Sequence, residues 1–319
     1  MENPMNKPKV YIDGQAGTTG LQIRERLESR DDLELLLLDD ALRHDEAARK
    51  QMMDQADLVF LCLPDQAARE AAALADENTR IIDASTAHRT LWDYGFSELS
   101  KENKEAIVHS RRVANPGCHA SGAIALLYPL IQSGLLSDEE TVHIVSLTGY
   151  SGGGKKMIEE YEGSHSQDPL YKAPRVYGTT LNHKHISEIM KITGLKNKPL
   201  FVPVVDDYYQ GMTTILMLPK TSLTKKVSLQ ELREFYADWY KDAALISVAA
   251  KPAEGMISAA QAADADNMFL SVDGNEEQVL LTAVFNNLGK GASGAAVQNM
   301  NLMLGLKETA GLKICQVQE

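Results

Sequence analysis

A strand, a glycine turn and a helix follow one another at once near the start of the chain, and few folds accept that opening. Lys9 to Asp13 reads as a short strand, Gly14-Gln-Ala-Gly17-Thr-Thr-Gly20 as the turn, Leu21 to Glu28 as a helix, and Leu33 to Leu38 as a second buried strand. Glycines at such a turn allow positive φ and close backbone approach, and the helix N-terminus behind them suits a pyrophosphate. The spacing is G-x-x-G-x-x-G rather than G-x-G-x-x-G. Gly14, Gly17 and Gly20 are therefore read as a cofactor loop from their place between strand and helix.

Further units of the same kind follow. Ala56 to Pro64 is near-continuously apolar, as a parallel strand covered on both faces requires, with Cys62 as core. Arg80 to Ser85 is another strand, and the polar string Ser85 to Arg89 falls beyond its carboxyl end, where open α/β sheets bind ligands. Past residue 118 the strands Val142–Thr148, Leu200–Val205, Thr213–Leu218 and Val279–Phe285 and the helical stretch Ser228–Lys241 suggest a mixed or antiparallel sheet. The expected fold class is α/β: a doubly wound Rossmann-type nucleotide-binding domain over 1–117, then an α+β catalytic and dimerisation domain with a mixed sheet over 118–291. A C-terminal helix within about 292–319 is expected to pack back onto the first domain.

Composition narrows the partners. The chain has 319 residues and a net charge of −12, which argues against nucleic acid or an anionic membrane as partner. The N-terminus has no apolar signal core, and no apolar run reaches the length of a membrane span. Cys62, Cys118 and Cys315 are an odd number without framework spacing, so reduced thiols and a cytoplasmic protein are expected.

Ala114-Asn-Pro-Gly-Cys118-His119 carries the sharpest chemistry. Pro116-Gly117 breaks the preceding strand and Ala120 to Ile131 is an apolar helical run, so Cys118 stands in the first turn of a helix. Unpaired N–H groups and the helix dipole there favour thiolate over thiol. A second cluster, Asn182 to Ile189, holds His183, His185 and Glu188. On a helix His185 and Glu188 are i and i+3 neighbours, and a carboxylate beside an imidazole fixes its tautomer and raises its basicity. His-x-His can also begin a metal site, but no Cys pair or acidic cluster at ligand spacing completes one, and no metal is expected.

Two glycine-rich stretches complete the pattern. Gly149 to Lys156 satisfies G-x-x-x-x-G-K, yet Lys156 stands where a phosphate loop needs Ser or Thr. It is read as a flexible glycine loop with Lys155 directed at phosphate. Asn286 to Ala296 is rich in small residues that permit close packing against a ligand or the cysteine helix. For a nicotinamide cofactor, Asp39 and Asp40 suit a ribose 2′-hydroxyl, whereas Arg43 and His44 suit a 2′-phosphate, and spacing admits both.

As an ordered set, GQAGTTG (14–20), DASTAHR (83–89), NPGC (115–118), GYSGGGK (149–155), HKHISE (183–188) and NLGKGASG (287–294) resemble the short-form N-acetyl-γ-glutamyl-phosphate reductases of the aspartate-semialdehyde dehydrogenase-like group. The resemblance covers nearly the whole chain. It implies NADPH-dependent reduction of N-acetyl-L-glutamyl 5-phosphate, a small-molecule acyl phosphate, to the 5-semialdehyde in arginine biosynthesis, by a homodimer or homotetramer. It implies Cys118 as nucleophile, His185 (with His183 second) as acid/base, and Gly14, Gly17, Thr18, Thr19 and Gly20 as cofactor loop. Arg43, Ser85, Asn287 and Gly289 are assigned to the cofactor with them. Glu188 orients His185 in this reading, and Arg89 and Lys155 take the phosphate or substrate carboxylate. Another semialdehyde dehydrogenase of the same architecture, such as one acting on aspartyl phosphate, is the rival reading.

Overall fold

The computed structural model describes residues 7–315 apart from 254. The chain divides into two compact units. Unit 1 collects the chain through Ser97, Glu102–Pro116 and Ser293–Leu312, and unit 2 collects Glu98–Lys101, Gly117–Ala292 and the chain from Lys313.

Unit 1 runs β1 (Lys9–Asp13), α1 (Thr18–Glu28), β2 (Glu34–Leu36), α2 (Glu46–Gln55), β3 (Leu58–Leu61), α3 (Asp65–Leu74), β4 (Arg80–Asp83), β5 (Asp93–Tyr94), α4 (Lys101–His109) and β6 (Arg112–Ala114). Its strands are parallel in the order β2-β1-β3-β4-β6-β5, so the winding reverses between β1 and β3, where open α/β sheets receive ligands. Both faces are covered. Val10, Ile12, Leu58, Phe60 and Ile82 meet Ile23 and Leu27 of α1 together with Val297 and Met300 from the helix Gly294–Met303. Tyr11, Val59, Leu61 and Ile81 meet Met53 and Ala71 on the other side. Burial on two faces is why β3 reads as an unbroken apolar run. The second strand is shorter than its leucines suggest: β2 is an edge strand ending at Leu36, and Leu37 is 49% exposed.

Unit 2 holds α5 (Cys118–Gln132), β7 (His143–Gly149), α6 (Gly154–Glu159), β8 (Arg175–Val176), α7 (His185–Thr193), β9 (Leu200–Asp206), β10 (Met212–Pro219), α8 (Leu229–Trp239), β11 (Ile246–Val248), β12 (Met268–Gly274) and β13 (Gln278–Phe285). After them α9 (Gly294–Met303) belongs to unit 1. The sheet is mixed, in the order β11-β12-β13-β10-β7-β9-β8, with β11/β12 and β7/β9 parallel and the remaining neighbours antiparallel. Helix α5 is apolar on every side because every side is covered, including by α7, β10 and β13. Pro129 inside it has no N–H for the Ala125 carbonyl, and the Tyr240 hydroxyl donates to that oxygen instead (2.8 Å). Helix α8 starts on a reciprocal cap between Ser228 and Glu231. Among the described residues no helix is long and apolar enough to cross a membrane.

Candidate active site

In unit 1 the glycine loop closes the gap between β1 and β3. Gly14 adopts φ +90°, and a Cβ on it would stand 2.4 Å from the Cys62 carbonyl oxygen at the end of β3. A Cβ on Gly20 would stand 2.4 Å from the Gly14 oxygen. Only glycine fits either place. Gly17 is the N-cap of α1, contributes no side-chain cap, and is followed by Thr18 and Thr19 with no acid in the first turn. The first N–H groups of α1 are thus left to an external anion. A cradle that a Cβ would fill, before an uncapped helix, fits the pyrophosphate of a dinucleotide.

Other polar groups of unit 1 are tied down. Asp13, 3% exposed, pairs with Arg49 (2.6 Å) beside the loop. Burial, and then the Asp13 charge, pushes the Tyr11 phenol up. After β2, Asp39 accepts the Ala41 N–H (2.9 Å) and caps a short turn that Arg43 ends, with Arg43 Nε 3.2 Å from His44 Nε2. After β4, the buried Asp83 carboxylate accepts the Ser85 N–H (2.8 Å) and hydroxyl (2.9 Å) and meets His88 Nδ1 (2.6 Å). Ser85 is in this way part of a knitted loop. Arg89 is buried, with Nε on the Asn115 carbonyl (3.1 Å) and an Nη on that of Ala84 (3.3 Å). It braces the strand end leading to residue 116.

In unit 2 Cys118 is the first residue of α5, and its N-cap Gly117 contributes no side-chain cap. The Gly117 N–H donates to Glu188 Oε1 (2.8 Å), so the carboxylate that sequence assigns to His185 also fastens the turn before the cysteine. Glu188 and His185 share the first turn of α7 and are both buried. Gly291 packs on the thiol residue: a Cβ there would lie 3.0 Å from Cys118 Cβ. The close approach expected of the small-residue segment is realised at this glycine. Asn287 is occupied, accepting the Gly211 N–H (2.8 Å) and donating to Ser151 Oγ (3.0 Å), and Gly289 packs against Ala265 and Asp266. The glycine loop is hydrogen-bonded at its start: Gly149, Tyr150 and Ser151 donate to the carbonyls of Gly211, Tyr208 and Tyr209. Lys155 stands exposed just after it.

Reasoning from sequence passed over His119 and Tyr177. His119 is 3% exposed, with Nδ1 at Ser146 Oγ (2.8 Å) and Nε2 at the Tyr177 hydroxyl (2.6 Å). Ser146 continues to Thr214 (3.0 Å), so a hydrogen-bonded row runs from Tyr177 into the sheet. Ring centroids of His183 and His185 lie 5.5 and 5.6 Å from that of His119. Burial, and then the charges of His183 and Lys184, hold His119 down to about 3, so it is a neutral imidazole. Burial likewise lowers His183. Burial, and then the charge of Cys118, pushes the Tyr177 phenol up, which keeps it a proton donor and marks it as a neighbour of the cysteine. Two clues were available: α5 is apolar all round, so a histidine in its first turn has nowhere exposed to go, and Ser146 interrupts an apolar strand.

The chain matches the family model described as semialdehyde dehydrogenase, dimerisation domain, over residues 118–287. An N-acetyl-gamma-glutamyl-phosphate reductase of Trichormus variabilis is 42% identical over 97% of this chain and 100% of its own length. One of Burkholderia lata is 46% identical over 96% and 99%. Among solved structures, aspartate semialdehyde dehydrogenase II of Vibrio cholerae, complexed with ASA, superposes with a TM-score of 0.71 at 16% identity, covering 94% of this chain and 99% of that one. At that identity the likeness concerns the fold.

Proposed function

We infer that this chain, which belongs to the N-acetyl-γ-glutamyl-phosphate reductase family, reduces N-acetyl-L-glutamyl 5-phosphate to N-acetyl-L-glutamate 5-semialdehyde and phosphate, with NADPH, in arginine biosynthesis. The observation that carries this reading is Cys118 at the uncapped N-terminus of a buried helix, beside a protonated phenol and a cluster of imidazoles. Helix N–H groups and dipole favour its thiolate, the form that attacks an acyl phosphate. Attack forms the sulfur–carbon bond, and the carbon–oxygen bond to phosphate breaks, leaving a thioester on Cys118. NADPH, when bound, supplies the hydride that reduces this carbonyl. The carbonyl oxygen carries developing negative charge, which N–H groups of the α5 first turn stabilise. His185, with His183 second, handles the proton at that oxygen, and expulsion of the Cys118 thiolate releases the aldehyde. Lys155 and Arg89 are the proposed phosphate ligands, Arg89 bracing the Asn115 carbonyl as well.

Gly14, Gly17, Thr18, Thr19 and Gly20 would hold the dinucleotide pyrophosphate, with Ser85, Asn287 and Gly289 assigned to the cofactor less directly. NADP is favoured over NAD because the Asp39 carboxylate already caps a turn while Arg43 and His44 stand exposed together after β2. A homodimer or homotetramer built through unit 2 and a cytoplasmic location complete the reading. The test is phosphate-dependent reduction of NADP by N-acetyl-L-glutamate 5-semialdehyde, run beside NAD and with Cys118→Ser. Turnover with NADP that requires phosphate is expected. Cys118→Ser is expected to lose it by orders of magnitude while still binding the dinucleotide. Turnover that survives Cys118→Ser would overturn the reading.

A further inference from the structure

Unit 2 contains an organised cation that the chemistry above does not use. β8 is an edge strand, antiparallel to β9 with Arg175 opposite Val205. Its ladder runs one residue further, because the Tyr177 N–H donates to the Pro203 carbonyl (3.1 Å). Strand alternation therefore puts Arg175 and Tyr177 on one face, about 6.6 Å apart along the strand at roughly 3.3 Å per residue. Tyr177 is the phenol joined to His119 and neighbouring Cys118.

The Arg175 guanidinium lies 3.6 Å above the Tyr171 ring and 5.0 Å from that of Tyr161. Stacking fixes the plane of the fork. Among the described residues Arg175 forms no salt bridge, although the chain carries a net charge of −12. Its Nε and the Tyr161 hydroxyl are buried and make no hydrogen bond. A half-buried, pre-oriented, planar cation without a counter-charge is arranged for a planar anion, and carboxylate is the match for two parallel N–H donors.

We propose that Arg175, held against Tyr171 and Tyr161, binds the α-carboxylate of the N-acylated substrate and thereby sets how far that carboxylate stands from the carbon attacked by Cys118. The assignment rests on the reductase reading above. In the substrate, four carbon–carbon bonds of about 1.5 Å separate the reacting carbon from the carboxylate carbon, roughly 5 Å when extended. That span is commensurate with the step from Tyr177 to Arg175 along β8.

The test uses the full-length enzyme in the phosphorylating direction with two aldehydes: N-acetyl-L-glutamate 5-semialdehyde, and N-acetyl-4-aminobutanal, which lacks only the α-carboxylate. The wild type is expected to favour the first by about 10²-fold in kcat/KM, the scale of one charged hydrogen-bonded pair. Arg175→Ala is expected to raise KM for the first aldehyde by a similar factor, leave kcat within a few-fold, and lose the preference between the two. KM for phosphate stays unchanged. Arg175→Lys, which keeps the charge but not the fork, recovers only part of the preference. Equal losses with both aldehydes, or a rise in phosphate KM instead, overturn the assignment. A wild type that does not discriminate overturns it without any variant. A wild type inactive on the first aldehyde but active on another refutes the reductase reading itself.

Discussion

Removing the Glu188 carboxylate tests whether one side chain fixes the start of the cysteine helix. Glu188 is 2% exposed, and its Oε1 accepts the N–H of Gly117, also buried, at 2.8 Å. A hydrogen bond to a charged acceptor is worth roughly 1.5–3 kcal/mol, and a buried N–H left without an acceptor costs about 1–3 kcal/mol. Glu188→Ala adds the space vacated by the side chain, and a total near 3 kcal/mol lowers Tm by roughly 6–12 °C. Glu188→Gln keeps a neutral acceptor and is expected to lose only about 1 kcal/mol. In activity, a shift of the α5 first turn misplaces the nucleophile, for which about a 10²-fold loss in kcat is the natural scale. Calorimetry with purified variants reads the first quantity; single-turnover kinetics with the rate of Cys118 alkylation reads the second. Should Glu188→Ala melt within about 2 °C of wild type and turn over normally, the carboxylate does not hold the turn, and the reasoning from that hydrogen bond is wrong.

His119 and Gly14 give two further expectations. The His119 imidazole, ordinarily titrating near 6.5, is held down to about 3. The unfolded chain takes up that proton first, so the stability contribution is complete above 6.5 and falls as pH drops through the window, by up to about 1.4 kcal/mol per pH unit. Urea titrations from pH 7 to 4 should show a shallower acid loss for His119→Gln, and an unchanged slope would refute the assignment. Gly14→Ala must enter a positive-φ conformation with its Cβ against the Cys62 oxygen, and the conformation alone costs about 1–2 kcal/mol. Fluorescence titration should then find NADPH affinity reduced at least tenfold; unaltered affinity would mean that the loop does not receive the dinucleotide.

The nucleotide-binding unit was legible because its physics is local: β1, the glycine turn and α1 are contiguous, and β3 is apolar on both faces. Helices α2 and α3 were not, since they bury little beyond Met53, Ala68 and Ala71, too little to leave an apolar stripe. β5 and β8 are two residues each, and a period of two needs more length than that to be seen. In the site, Cys118, His183, His185 and Glu188 stood out by chemical type and spacing. Glu188 reached Gly117 across 71 positions, and Tyr177 reached His119 across 58; separations like these are settled by the sheet and carry no local pattern.

The apolar side of the first sheet that receives α1 also takes Val297, Met300 and Met303 from the far end of the chain. A nascent polypeptide leaving the ribosome therefore presents Val10, Ile23 and Leu58 long before their partners exist, and the unit whose synthesis begins first cannot close its core until α9 has been made. Folding of that unit waits on synthesis through α9. Premature termination upstream of α9 would strand sticky intermediates, natural clients for chaperones and proteases, however well the intervening sheet had already assembled.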